Sequence, residues 1–251
     1  MVPVLSLLCP TRGRYDRLRD LVFNLVSTCA NRALWDVHFI YDFDDLETER
    51  VLLYIRGEFG SGIRVIGREH GENLSEDYYN WAWSMGLLRG QYVWIIGDDI
   101  RMQTHGWDEM AAGVLEGYVQ RHPDGIVYAF AQDLHEDMKP DIGYPWGWFP
   151  ILSQETISTL GYIMPKEYPT WGADILLAGI FNHPSVGRSL HIPSIVIDHI
   201  SYHSYGNMER DDTGFSMMWR HVHAASGIAE YRDHKLDRDI QRVSQAIRRV
   251  R

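Results

Sequence analysis

The sequence predicts an α/β protein: a single domain with a mostly parallel central sheet, helices on both faces and a C-terminal helical extension. Three observations carry this. Strand-like and helix-like runs alternate over residues 4–131, the spacing expected of an open sheet covered on both sides. Polar clusters follow directly after the first, second and fourth strand-like runs, where ligands sit in such sheets. The chain closes on apolar residues repeating at helical spacing.

Each element has its own signal. Residues 4–8 are a short apolar run ended by Pro10. With no basic start and no cleavage site, they read as a first strand and not as a signal peptide. Leu18, Leu21, Val22, Leu25 and Val26 mark the first helix, and residues 37–41 a second strand. Val51 to Tyr54 lie in a helical stretch before Gly57, and residues 63–66 form a third strand. Asn73 followed by Glu76 resembles a capping box, opening a helix that carries Tyr78, Trp81, Ala82 and Met85 and ends near Gly90. Residues 92–96 are a fourth strand that stops at Gly97-Asp98-Asp99. Trp107, Met110, Ala111, Val114, Leu115 and Tyr118 form a helical stripe, and residues 126–131 a fifth strand.

The second half is less regular. Residues 143–148, rich in Gly, Pro and Trp, read as a loop, and residues 155–160 as a short helix. Trp171-Gly172-Ala173-Asp174 opens an apolar helix over 175–181. Residues 195–197 are a strand, followed by Asp198 and a His-rich loop. Leu236, Ile240, Val243, Ile247 and Val250 line one side of a final helix. The domain, 1–251, divides into a regular first half (1–131), a less regular second half (132–226) and the C-terminal helix (227–251).

Bulk composition sets limits. A length of 251 residues suits one sizeable domain. No run reaches the roughly 18 apolar residues of a membrane span, so no membrane partner is expected. Two cysteines, Cys9 and Cys29, demand no disulfide framework and fit a reducing cytoplasm. A net charge of −10 disfavours a strong sequence-independent grip on nucleic acid. The charge is uneven, with Arg12, Arg14, Arg17 and Arg19 near the start and a basic C-terminus, so a local anion site is compatible with an acidic whole.

The candidate chemistry lies after the strands. Asp98 and Asp99 are adjacent carboxylates behind a buried strand, a costly arrangement unless paired. A divalent cation with phosphate oxygens is a natural partner, and an ordinary Gly-Asp turn is the plainer reading. His199 and His203 can join a carboxylate around Mn²⁺, although the chain has 12 histidines and an isolated pair means little. Thr11, Arg12 and Arg14 stand at a strand-to-helix turn suited to phosphate. Basic residues there oppose the helix dipole, which favours a functional reason. Asp42, Asp44 and Asp45 can accept from a base or ribose, or form a solvated acidic loop. Asn73 and Asp98 complete the nucleotide-facing candidates. Asp174 is either a helix cap or a general base. Trp146, Trp148 and Trp171 offer rings for stacking or for the core.

In order and spacing these motifs resemble the GT-A glycosyltransferases, specifically the family-2-like group, over residues 4–213. Pro10-Thr11-Arg12-Gly13-Arg14 looks like that group's first nucleotide loop, and Asp42 to Asp45 like the acidic end of its second strand. Asp98-Asp99 sits where the family carries Asp-x-Asp, but Gly97 occupies the first acidic position. Asp99 is therefore the match to the metal-binding aspartate. Trp171-Gly172-Ala173-Asp174 is similar to the segment ending in the catalytic acid of inverting members. His199 resembles the late metal histidine, and Asp211-Asp212-Thr213 a downstream Asp-x-Thr element.

The resemblance implies a Rossmann-like GT-A fold, with 1–131 as the nucleotide-sugar-binding half and 132–226 as the acceptor half, and a transferase taking a nucleotide-sugar, with UDP-sugar the commonest donor. Mn²⁺ or Mg²⁺ would be held by Asp99 and His199, with His203 as a further candidate. Asp174 would deprotonate the acceptor hydroxyl with inversion. Small phage-encoded transferases that glycosylate hydroxymethylated pyrimidines in DNA share this look, and saccharide, lipid-linked and protein acceptors stay open. A sugar-nucleotide nucleotidyltransferase shares sheet and metal, but its Gly-rich loop with a following Lys is absent. A non-catalytic nucleotide-binding protein would keep the pocket without the base.

Overall fold

Leu5–Pro10 (β1) is flanked on both sides by parallel strands, so its apolar side chains are buried on both faces. The computed structural model describes residues 2–135, 143–168, 172–200 and 235–250. The further strands are β2 (Trp35–Asp42), β3 (Ile63–Arg68), β4 (Tyr92–Ile95), β5 (Ile100–Met102), β6 (Tyr128–Asp133), β7 (Ile151–Ser153) and β8 (Ser189–His199). They form one sheet in the order β3-β2-β1-β4-β7-β6-β8-β5. The pairs β1–β2, β1–β4, β2–β3 and β6–β8 are parallel; β4–β7, β6–β7 and β5–β8 are antiparallel.

Side-chain alternation along these strands supplies two cores. Leu5, Leu7, Val37, Phe39 and Trp94 face α1 (Tyr15–Thr28), α2 (Leu46–Phe59) and α4 (Trp107–Arg121). Leu8, Ile40, Val93 and Ile95 face the other way. There they meet α3 (a π-helical Leu74–Asn80 running into α-helical Trp81–Ser84), α5 (Gln154–Leu160), α6 (Ala173–Asn182) and α7 (Asp237–Val250). The helix stripes read from sequence are these faces: Leu18, Leu21, Val22 and Leu25 on α1, and Trp107, Ala111 and Leu115 on α4. On α7, Ile240, Val243 and Ile247 are buried, whereas Val250 is exposed.

Three features depart from the expected elements. β5 and β7 are strands of three residues each, too short to show a period. β8 spans Ser189–His199, longer than expected, and places Asp198 and His199 in the strand and not in a following loop. Its register against β6 shifts between Ala131 and Gln132, next to Pro193, which cannot donate to the ladder. Finally, Asn73 accepts from the Glu76 N–H at 3.0 Å, but the reciprocal bond, from the Asn73 N–H, goes to Asp77 Oδ2 at 2.9 Å. The wider π-turn moves the capping carboxylate on by one residue.

Candidate active site

The site lies past the carboxyl ends of β1, β2 and β4. β1 ends at Pro10, and Gly13, at φ +66°, turns the chain into α1. That left-handed conformation favours glycine. The Gly13 N–H donates to Asp45 Oδ2 at 2.7 Å, and the same carboxylate caps α2 by accepting from the Thr48 N–H and hydroxyl. Asp45 therefore ties the first loop to α2.

Asp42, at the end of β2, is 1% exposed. Tyr78 Oη donates to its Oδ1 at 2.6 Å; Arg12 Nη1 at 2.6 Å and His70 Nδ1 at 2.9 Å approach its Oδ2. Burial alone would raise this carboxyl, but the hydrogen bonds from Tyr78, His70 and Arg12 outweigh it and hold the group below the usual carboxylate range. Arg12 also grips exposed Asp44 through two bonds, at 2.5 and 2.9 Å. This arginine–carboxylate knot stands half-exposed at the mouth of the first loop.

The second corner is built on β4 and β5. Thr11 Oγ1 donates to Asp98 Oδ2 at 2.8 Å and Arg14 Nη1 to Asp98 Oδ1 at 2.9 Å. Arg14 Nη1 also stands 3.5 Å from Asp99 Oδ2. Burial pushes the Asp98 carboxyl up; Arg14 pulls it down and Asp99 pushes it up further. Asp99 Oδ2 lies 3.4 Å from His199 Nε2. β5 makes this meeting: it pairs Ile100 with His199, and the Ile200 N–H donates to the Asp99 carbonyl at 2.8 Å. The Phe149 ring packs edge-on against His199, with centroids 5.0 Å apart.

Gly97 explains the departure from Asp-x-Asp. A Cβ at this position would lie 2.4 Å from Asp99 Oδ1 and 3.1 Å from Phe149. A first-position carboxylate does not fit beside Asp99 as it stands. Asp98 is held by Thr11 and Arg14 and anchors the first loop.

The residues present suit a hard divalent cation. Two ligands each about 2.1 Å from one cation stand about 3.0–3.4 Å apart, which matches Asp99 and His199. Carboxylate oxygen with imidazole nitrogen suits Mn²⁺ or Mg²⁺. Among the described residues no group of three or more His, Cys, Asp and Glu is arranged to hold a metal. Donor phosphate oxygens would have to complete the shell. His203, Trp171 and Asp211-Asp212-Thr213 lie outside the described residues.

Asp174 sits in the first turn of α6, 8% exposed, and its Oδ1 accepts from the Ile175 N–H at 3.0 Å. Burial pushes the hydroxyl of Tyr79, on α3, well up.

Asn73 is engaged with backbone. Its side chain caps α3 and donates to the Lys166 carbonyl at 2.6 Å. Sequence reasoning missed Tyr78 and His70 as partners of Asp42. Tyr78 lies in a helix whose period marks only core, and His70 carries no motif.

No protein-family model and no curated sequence matches the chain. Solved structures do. S. aureus TarS 1-349 in complex with UDP aligns at TM-score 0.57 and 10% identity, over 77% of this chain and 60% of that one. The mannosyltransferase PcManGT from Pyrobaculum calidifontis, with GDP-Man and Mn²⁺, aligns at TM-score 0.56 and 13% identity, over 82% of this chain and 60% of that one. GalNAc-T7 with UDP, GalNAc and Mn²⁺ aligns at TM-score 0.56 and 14% identity, over 79% and 44%. These neighbours are GT-A glycosyltransferases, and the chain spans about 60% of the length of the first two. The fold is the GT-A, Rossmann-like α/β arrangement.

Proposed function

We propose, with the GT-A fold as premise, that this chain transfers a sugar from a nucleotide-sugar, a UDP-sugar first of all, to an acceptor hydroxyl. One observation carries the reading: Asp99 and His199 stand side by side next to the arginine-bearing first loop. In the neighbours whose complexes contain Mn²⁺, a nucleotide or nucleotide-sugar is bound with it.

Asp99 and His199 would hold the divalent cation, which when bound neutralises charge on the leaving diphosphate. The remaining roles fall to the chain's own groups. Asp42 fixes Arg12 and His70 at the nucleoside end through the bonds described. Asp98 fixes Thr11 and Arg14 at the phosphate end. Asp174 accepts the proton of the acceptor hydroxyl at a carboxylate oxygen as that hydroxyl attacks the anomeric carbon. Direct attack with Asp174 as base inverts the anomeric configuration.

Two acceptors compete. The exposed face of α7 carries Arg238, Arg242, Arg248 and Arg249, which favours a hydroxymethylated pyrimidine in DNA. The net charge of −10 favours a neutral saccharide. Calorimetric titration with a panel of UDP- and GDP-sugars, with and without Mn²⁺, tests the donor. Transfer assays on hydroxymethylated DNA and on free saccharides, read by the product anomer, test acceptor and stereochemistry. Failure of every nucleotide to bind under either condition would remove the proposal.

A further inference from the structure

We propose that Arg14 is a built-in counter-cation: it keeps a divalent ion off Asp99 in the donor-free protein and moves to the donor diphosphate when the metal loads. This rests on the transferase reading above. Asp98 and Asp99 are 6% and 8% exposed, and two adjacent buried carboxylates require positive charge close by. Arg14 supplies it through one nitrogen, 2.9 Å from Asp98 Oδ1 and 3.5 Å from Asp99 Oδ2. That second oxygen is the one facing His199 Nε2 at 3.4 Å. A cation on the Asp99–His199 pair and the Arg14 guanidinium therefore compete for the same oxygen.

Only Arg14 is placed to give way. Asp98 is anchored from its other oxygen by Thr11. Asp99 has Gly97 against its other oxygen, with no room for even a methyl group at position 97. The Arg14 side chain is 45% exposed and sits at the start of α1, in a loop of phosphate-binding type. A diphosphate arriving there offers the guanidinium a bidentate partner. Its departure uncovers Asp99 Oδ2. Metal and donor then favour each other by the same factor, as linkage requires.

The test is Mn²⁺ binding, followed by electron paramagnetic resonance, to wild type, Arg14→Gln, Arg14→Lys and the charge-matched control Arg19→Gln, each with and without UDP or GDP. Without nucleotide, Arg14→Gln is expected to bind Mn²⁺ about tenfold more tightly than wild type. Arg14→Lys, which keeps the charge, and Arg19→Gln, which loses a distant surface charge paired with Glu58, should stay near wild type. Nucleotide should tighten Mn²⁺ binding to wild type and close the gap. Equal or weaker Mn²⁺ binding by Arg14→Gln in the absence of nucleotide overturns the inference while leaving the transferase reading intact. No Mn²⁺ binding by any of the four proteins, with or without nucleotide, removes the metal reading and this inference with it.

Discussion

Tyr78 Oη donates to Asp42 Oδ1 at 2.6 Å, joining the π-helical start of α3 to the end of β2. The bond is buried, and it orders the carboxylate that in turn holds Arg12 and His70. Helix bulges of this kind occur often at functional sites. Here the widened turn carries Tyr78 to Asp42.

Tyr78→Phe removes a buried hydrogen bond to a charged group. It is expected to lower unfolding free energy by about 1.5–3 kcal/mol and to weaken nucleotide binding. Urea denaturation measures the first effect and calorimetry the second. An unchanged urea midpoint would show that Asp42 does not depend on this donor.

The depressed carboxyl of Asp42 sets a pH window. Its folded pKa lies below the unfolded value, so its stabilisation is present above the unfolded pKa of about 3.9 and is lost as pH falls through the lower folded value. Asp42→Asn should therefore cost most near neutrality, and its deficit relative to wild type should shrink below about pH 4. Thermal unfolding across pH 2–7 reads this, and a deficit independent of pH would contradict it.

Asp99→Asn and His199→Ala should each abolish Mn²⁺-dependent transfer, with the double variant no worse than either single one. Groups that act as one unit are non-additive. Losses that multiply in single-turnover assays would separate the two residues.

Asp174→Asn keeps the shape of the acceptor side and removes the base. A drop of about 10²–10⁴ in kcat is expected, with nucleotide-sugar affinity close to wild type. A kcat within threefold of wild type would take Asp174 out of the chemistry.

Gly97→Ala places a methyl group 2.4 Å from Asp99 Oδ1. A stability cost of about 1–3 kcal/mol is expected, together with weaker Mn²⁺ binding in the presence of UDP. Retained metal affinity would mean that Asp99 can shift without losing its place.

The parallel half of the fold was legible because β1 to β4 are long enough, or sufficiently buried, to show as apolar runs, and α1 and α4 show a helical period. Asp99 and His199 were legible as residue types in a familiar order. The reason Asp99 meets His199 was not, since it resides in β5, whose three residues carry no period. Asn73 was ambiguous for a different reason. An asparagine before an acidic helix start reads equally well as cap or ligand, and here both ends of its amide bond backbone. Tyr78's bond to Asp42 was hidden because a π-helical turn leaves no compositional trace.

β5 is the last strand of the described sheet: it pairs there with β8 alone, and on its helix side Asn24 of α1 bonds both the N–H and the carbonyl of Met102. Short border elements open at lower free energy than the interior of a sheet. The corner joining Asp99 to His199 can therefore come apart while the nucleoside end stays folded. Amide hydrogen exchange at Ile100 and Ile200 would then run faster than at Leu7 or Phe39, and Asp99 and His199 would part before the sheet melts.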